Sequence, residues 1–389
     1  MQKREDLQSY RIKPLTIKTP FHLDESLSSW LIRASLNQGC DPLVFTQFYW
    51  PNFRLWNYDV DKGFQYINEQ IHKDIAVLAN AHHINLEAQT LNNFGKSLEL
   101  SDNYKKINIP WTQPLSKRNR NSLLGYPYCP LCMQSNNEAK LKLSWRFTWS
   151  VYCDEHKIQL HDTCSQCKHP YQPQLLEADV RYINHCHNCK KKISLGYNNE
   201  LTPLLNENAY KFQSLANKVC MDEFAYVFET KVSIRDWFDL MAFYINIVRR
   251  GAINPNYMFG KLSKSFGIEI DEIVPPKTGL RLNQLPINER INLLGYAIKI
   301  SSIDSDTWLK KCKEMKITQN SFNWSKQTIV PKAFNIIYEK LPRTHSLRIR
   351  NIGASHPKSP DAVMKRWERL KRKSEMKKYY NKERINYEK

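Results

Sequence analysis

Four pairs of metal-ligating side chains stand out between residues 129 and 189. Cys129-Pro130-Leu131-Cys132 is followed, after twenty intervening residues, by Cys153-Asp154-Glu155-His156. Seven residues further on, Cys164-Ser165-Gln166-Cys167 opens a second set, closed after another eighteen by Cys186-His187-Asn188-Cys189. A two-residue gap lets one tight turn aim both side chains at a single ion while backbone N–H groups reach the sulfurs. The spacing thus predicts two tetrahedral sets, Cys129/Cys132/Cys153/His156 and Cys164/Cys167/Cys186/Cys189, whose soft ligands suit Zn2+. Catalytic zinc keeps one position open for water, and four protein ligands leave none, so both sites are expected to be structural. His161, His169, His185 and His187 are surplus to the two sets, and the isolated Cys40, Cys220 and Cys312 read as small core residues.

Charge supplies the second chemical signal. Lys and Arg number 58 against 38 Asp and Glu, a formal net charge of +20 with a pI near 9.4. A polyanionic partner is the expectation for such a chain, either nucleic acid such as double-stranded DNA or an anionic membrane surface. From Lys340 to Lys389 there are 16 Lys/Arg and 5 Asp/Glu, so more than half of the excess lies in the last fifty residues. Lys365, Arg366, Arg369, Lys371, Arg372, Lys373, Lys377 and Lys378 crowd together there and are candidate phosphate contacts. Reading a sequence needs groove-facing donors, and Gln319, Asn320 and Ser321 on a short helix are the candidates for that.

An enzyme is not expected. The chain has no H-E-x-x-H, no phosphate-binding glycine loop and only eleven glycines. The His82-His83 pair reads as solvent-facing, since neighbouring helical side chains point apart.

Helices must position these groups. After the polar cap Asp24-Glu25-Ser26, the residues Leu27, Trp30, Leu31 and Ala34 mark one face of an amphipathic helix ended by Gly39. A second helix is expected from Pro42, with Leu43, Phe45, Phe48 and Tyr49 as apolar anchors, so that the pair reads as a helix-turn-helix. Another helix is expected around Ile71–Asn80. Between the first two cysteine pairs, Trp145, Phe147 and Trp149 alternate with Arg146 and Thr148 as in a half-buried strand with its aromatic face toward the core. Further helices are expected from Ser233 to Gly251, from Asn288 to Ile300 and from Asp304 to Met315, followed by a short one around Thr318-Gln319-Asn320-Ser321-Phe322.

The fold class is therefore mostly α with small zinc-ribbon β modules, in several domains. An N-terminal helical region occupies 1–120, tandem zinc modules 121–200, a helical C-terminal domain 201–345 and a basic tail 346–389. No segment approaches the length of a membrane helix and the N-terminus shows no signal pattern, so no membrane contact and a cytoplasmic location are expected. Thiols kept reduced there serve metal rather than disulfides.

Several of these segments together resemble the TniQ/TnsD family of transposon target-site selectors. The resemblance is carried by Asp24-Glu25-Ser26-Leu27-Ser28-Ser29-Trp30-Leu31-Ile32-Arg33, Tyr128-Cys129-Pro130-Leu131-Cys132, Trp145-Arg146-Phe147-Thr148-Trp149, Cys153-Asp154-Glu155-His156 and Cys164-Ser165-Gln166-Cys167. It covers residues 14–195. It implies a bacterial, nucleoid-associated component that chooses a target without cutting DNA. Such a protein binds an attachment site itself or, in the alternative form, is an adaptor docking on an RNA-guided CRISPR effector complex. Either form recruits an AAA+ ATPase regulator that activates the transposase. Related sequences often carry Pro where Asp154 stands, which makes this knuckle locally acidic and a poor phosphate contact.

Overall fold

The computed structural model describes residues 12–63, 69–81, 86–99, 109–114, 125–194, 206–270, 273, 281–324, 330–343, 359–361, 363–364, 366–368 and 370–371. Helices α1 (Leu27–Asn37), α2 (Pro42–Tyr49), α3 (Glu69–Leu78) and α4 (Asn92–Ser97) precede the cysteine-rich segment. After it come α5 (Glu207–Asp222), β1 (Phe224–Val227), β2 (Thr230–Ser233), α6 (Ile234–Ile253), α7 (Met258–Ser265), α8 (Ile287–Ser301), α9 (Ser305–Glu314) and α10 (Asn335–Tyr338). The protein is mostly helical, and β1–β2 is the one sheet among the described residues. The cysteine-rich segment contributes isolated antiparallel bridges, such as Tyr152–Gln159 and His185–Lys192, instead of extended ribbons.

Helix α1 begins where Ser26 accepts a hydrogen bond from the Ser29 N–H, satisfying one of the orphan donors of the first turn. It ends at Gly39, whose φ of +69° is open to glycine at little strain, with the Cys40 N–H closing onto Ser35 O. The helix is buried on nearly every side. Trp30, Leu31 and Ala34 pack with Phe45, Trp50, Ile71, Ile75 and Leu78 in an N-terminal cluster. Ile32 and Leu36 face a second, larger cluster that continues through the cysteine-rich segment to Leu341. Helix α2 starts at Pro42 as expected, but only Phe45 of its apolar anchors is buried; Leu43 and Phe48 are exposed, together with Val44.

The 145–149 segment departs from the expected strand. Leu143–Arg146 is a 3-10 turn, and only Phe147 is bridged, to Thr112. Both faces are buried, and the single bridge leaves the segment without a ladder that would hold it extended. Trp149 is fully enclosed, stacked on Phe147 at 4.4 Å and packed on Phe238 of α6 at 4.8 Å. Arg146, on the supposedly polar face, is 2 % exposed and lies between two carboxylates. The aromatics do form core, as the residue types implied.

In the C-terminal half α5 packs on α8, and α6 packs on α7 and α8. The Ser233 hydroxyl caps α6 by accepting from the Asp236 N–H. Contrary to the expected stop, Gly251 lies inside α6, which runs on to Ile253. Gly251 is there for close packing: a Cβ would stand 2.5 Å from Ile270 Cδ1 and 3.0 Å from Phe259 O. The β1–β2 hairpin turns on Phe228 and Glu229, at φ of 46° and 65°. That is the two-residue geometry for which Asn-Gly is the usual sequence.

Candidate metal centres and nucleic-acid surface

The two cysteine sets converge as their spacing predicts. In the first, His156 Nδ1 lies 3.5, 3.3 and 3.6 Å from the sulfurs of Cys129, Cys132 and Cys153, and the Cys132 and Cys153 sulfurs are 3.7 Å apart. In the second, Cys164–Cys189 and Cys167–Cys186 sulfur separations are 3.8 and 3.6 Å. Zinc bonds of about 2.3 Å to sulfur and about 2.0 Å to nitrogen make a tetrahedron with edges of about 3.8 Å (S to S) and about 3.6 Å (S to N). Both sets fit. Within each set all ligand atoms lie within 4.8 Å of one another, so each cluster could hold a metal ion. None of the four surplus histidines belongs to either cluster.

A repeated backbone device builds the knuckles. The residue after the second ligand donates its N–H to the first ligand's carbonyl: Lys157 to Cys153, Lys168 to Cys164 and Lys190 to Cys186, at 2.9, 3.0 and 2.9 Å. Each of these lysines has φ between 56° and 61°. A left-handed residue reverses the chain so that the cysteine N–H can bond forward, Cys153 to Ile158 O, Cys164 to His169 O and Cys186 to Lys191 O. Gln166 and Asn188 direct their N–H groups at the Cys164 and Cys186 sulfurs, both at 3.4 Å, which offsets thiolate charge.

The first cluster is bolted to its surroundings through the acidic residues of its knuckle. Asp154 accepts from the Gln213 amide of α5 at 2.8 Å, and Gln213 also holds the Val151 and Tyr152 N–H groups. Glu155 binds Lys142, which in turn faces Asp24 at 3.4 Å beside the start of α1. The Lys142 hydrogen bond holds the Glu155 carboxyl below the usual carboxylate range. Leu141 O accepts from the Ser26 N–H, and the Leu141 N–H reaches the Ser29 hydroxyl at 2.9 Å. So the acidic residues of this knuckle serve as a docking element.

Beneath it lies a seam of buried charge. The Arg146 guanidinium spans Asp59, at 2.7 and 3.1 Å, and Asp61, and also donates to Gln113 O. Asp61 accepts from both the N–H and hydroxyl of Ser28 on α1. Burial pushes its carboxyl above the usual range, with Asp59 adding and Arg146 and Ser28 opposing. Alongside, Arg33 and Glu25 pair at 2.6 Å, and burial raises the Glu25 carboxyl despite that partner. This seam escaped sequence reading; the only signal was an arginine where alternation called for a solvent-facing residue.

The candidate DNA groups fare differently. Gln319 is 5 % exposed: its amide donates to Leu341 O at 3.1 Å and accepts from Arg343 Nε at 2.9 Å, so it faces the protein instead of a groove. Ser321 accepts from the Thr318 N–H as part of a reciprocal cap, and Asn320 is exposed. Gln319–Phe322 is a single 3-10 turn, shorter than a groove-reading helix. Arg366 and Lys371 are exposed on helical residues; Lys365, Arg369, Arg372, Lys373, Lys377 and Lys378 lie outside the described residues, as does His82-His83. No helix among the described residues is long and apolar enough to cross a membrane.

The TniQ family model matches residues 16–160. The match encloses the first metal cluster and ends short of the second, a narrower span than the 14–195 suggested by the motifs. No curated protein matches the chain. A TniQ domain implies a transposition-associated role, as adaptor or target selector.

Proposed function

We propose that this TniQ-domain chain is the non-catalytic target-site selector of a multi-component bacterial transposon, binding attachment-site double-stranded DNA and recruiting an AAA+ regulator that activates the transposase. The observation that carries the reading is the TniQ match over 16–160, with a closed Cys3His cluster inside it. Two Zn2+ ions in the two clusters would act as structural staples, each surrounded by four protein ligands. The 1–120, 121–200, 201–345 and 346–389 division, and a cytoplasmic, nucleoid-associated site of action, belong to the same proposal. Salt-dependent phosphate contact by the basic tail supplies affinity, and site preference must come from elsewhere.

The adaptor reading, in which the chain docks on an RNA-guided CRISPR effector complex, draws on one feature. The outward face of α2 offers Leu43, Val44 and Phe48, which suit a protein surface better than a DNA groove. Binding of the zinc-loaded protein to random duplex and to candidate attachment sites across a salt series separates the two. Site-preferring binding, weakened by deleting residues 358–389, is expected; weak, sequence-blind binding overturns direct selection and leaves the adaptor.

A further inference from the structure

Helix α9 carries Lys310, Lys311 and Lys313, and Lys316 follows two residues after its end, four cations in seven residues. Trp308 and Cys312 are its buried residues and fix which side faces out. Lys311 is paired with Glu314 at 3.0 Å; Lys310, Lys313 and Lys316 are exposed and have no carboxylate partner among the described residues. The 3-10 turn that follows places exposed Asn320 next to this cationic end, while its Gln319 reaches inward. Gln319 then fastens the departing chain through three consecutive residues. Its amide donates to Leu341 O, its N–H donates to Pro342 O at 3.1 Å, and its side-chain oxygen holds exposed Arg343. Beyond Arg343 runs the lysine- and arginine-rich end of the chain.

We propose that Lys310, Lys313 and Lys316, with Arg343 held by Gln319, form a folded phosphate-contact surface for duplex DNA. This rests on the DNA-selector reading and deepens it. In place of a base-reading helix at 319–321, the C-terminal half presents exposed cations on and just after α9. The chemistry is general for phosphodiesters: exposed ammonium groups at successive turns neutralise phosphates and release counterions, contributing affinity without sequence preference.

The test is fluorescence anisotropy of the full-length, zinc-loaded protein with a labelled duplex of random sequence over a potassium chloride series. The triple variant Lys310→Gln, Lys313→Gln, Lys316→Gln is set against a control of equal charge change, Lys18→Gln, Lys218→Gln, Lys261→Gln, also at exposed positions. With about 0.9 counterions released per phosphate contact, the slope of log K against log salt should fall by about 2–3 in the first variant and little in the control. Circular dichroism checks that both remain folded. Equal slopes in the two variants overturn the surface while leaving the selector reading intact. A wild-type protein without affinity for duplex overturns both.

Discussion

The two halves of this protein are joined by different physics. From α1 to the knuckles, the contacts that set relative position are polar: Glu25–Arg33, Asp59–Arg146–Asp61 and Ser28 on Asp61 are buried, and Lys142 between Asp24 and Glu155 lies at the surface. In the C-terminal half, rings do the joining. Phe334 lies 4.9 Å from Phe243, 5.2 Å from Trp308 and 5.5 Å from Phe322, and Trp308 stacks on Tyr244. Buried charge is stable only while every partner is present, whereas apolar packing degrades in proportion to what is removed. The first half should therefore fail abruptly and the second gradually.

The largest single effect is expected at the first metal cluster, inside the half held by polar contacts. Cys153 is 1 % exposed and sits one residue from the Gln213 and Asp154 contacts to α5. Structural zinc is worth about 10–16 kcal/mol in small modules, comparable with or above the whole stability of a domain. Cys153→Ser should sharply cut the yield of soluble folded protein, and whatever stays soluble should carry half the zinc by elemental analysis. Cys189→Ser removes a ligand of the second cluster, which lies outside the TniQ match and is not among those docking contacts. It should lose the same zinc yet keep most helical circular dichroism. Equal collapse of the two variants would erase the distinction between the clusters.

A smaller effect is expected at Arg146. Arg146→Ala leaves Asp59 and Asp61 buried without their cation, which should cost about 3–5 kcal/mol in denaturant unfolding. Adding Asp59→Asn and Asp61→Asn should recover part of that loss, because the orphaned charges are gone. Trp308→Ala on α9 should cost about as much, 3–5 kcal/mol, through the cavity it leaves. No second substitution that only neutralises charge should repair it. Recovery in the arginine series alone is the outcome that sharpens the comparison; no recovery there would assign Arg146 a packing role.

The first half was the more legible of the two in sequence, its buried charge apart. Helix periodicity located α1, α2, α6, α8 and α9 because each carries apolar residues at helical spacing, and the ligand spacing located both clusters because two-residue knuckles are local. Gly251 was misread as a stop because close approach of α7 and Ile270 is a tertiary fact. The β1–β2 hairpin left no trace, since Phe228-Glu229 carries none of the usual turn chemistry. Gln319 read as a DNA donor because an amide serves equally to cap a chain 22 residues away. Arg146 was misplaced because both faces of its segment are buried, which a period of two cannot express.

Acid titration gives the subtlest contrast, between Asp61 in the first half and Asp304 in the second, whose contributions have opposite sign. Burial raises Asp61 above the ordinary value of 3.8, so the native state binds its proton more tightly than the unfolded chain does. That contribution is complete below pH 3.8 and is lost as pH rises through the folded value. Asp304 at the start of α9 is lowered by hydrogen bonds from the Thr307 N–H and hydroxyl. Its contribution is present above pH 3.8 and is lost as pH falls through the folded value. Denaturation midpoints between about pH 3 and 7 should then show Asp61→Asn flattening the profile above pH 3.8. Asp304→Ala should flatten it below. The Asp304 effect is a surface cap and will be the smaller one. If Asp61→Asn instead steepens the profile at neutral pH, Asp61 is held ionised by Arg146 and Ser28, and the seam is a fully charged clamp like any well-paired salt bridge.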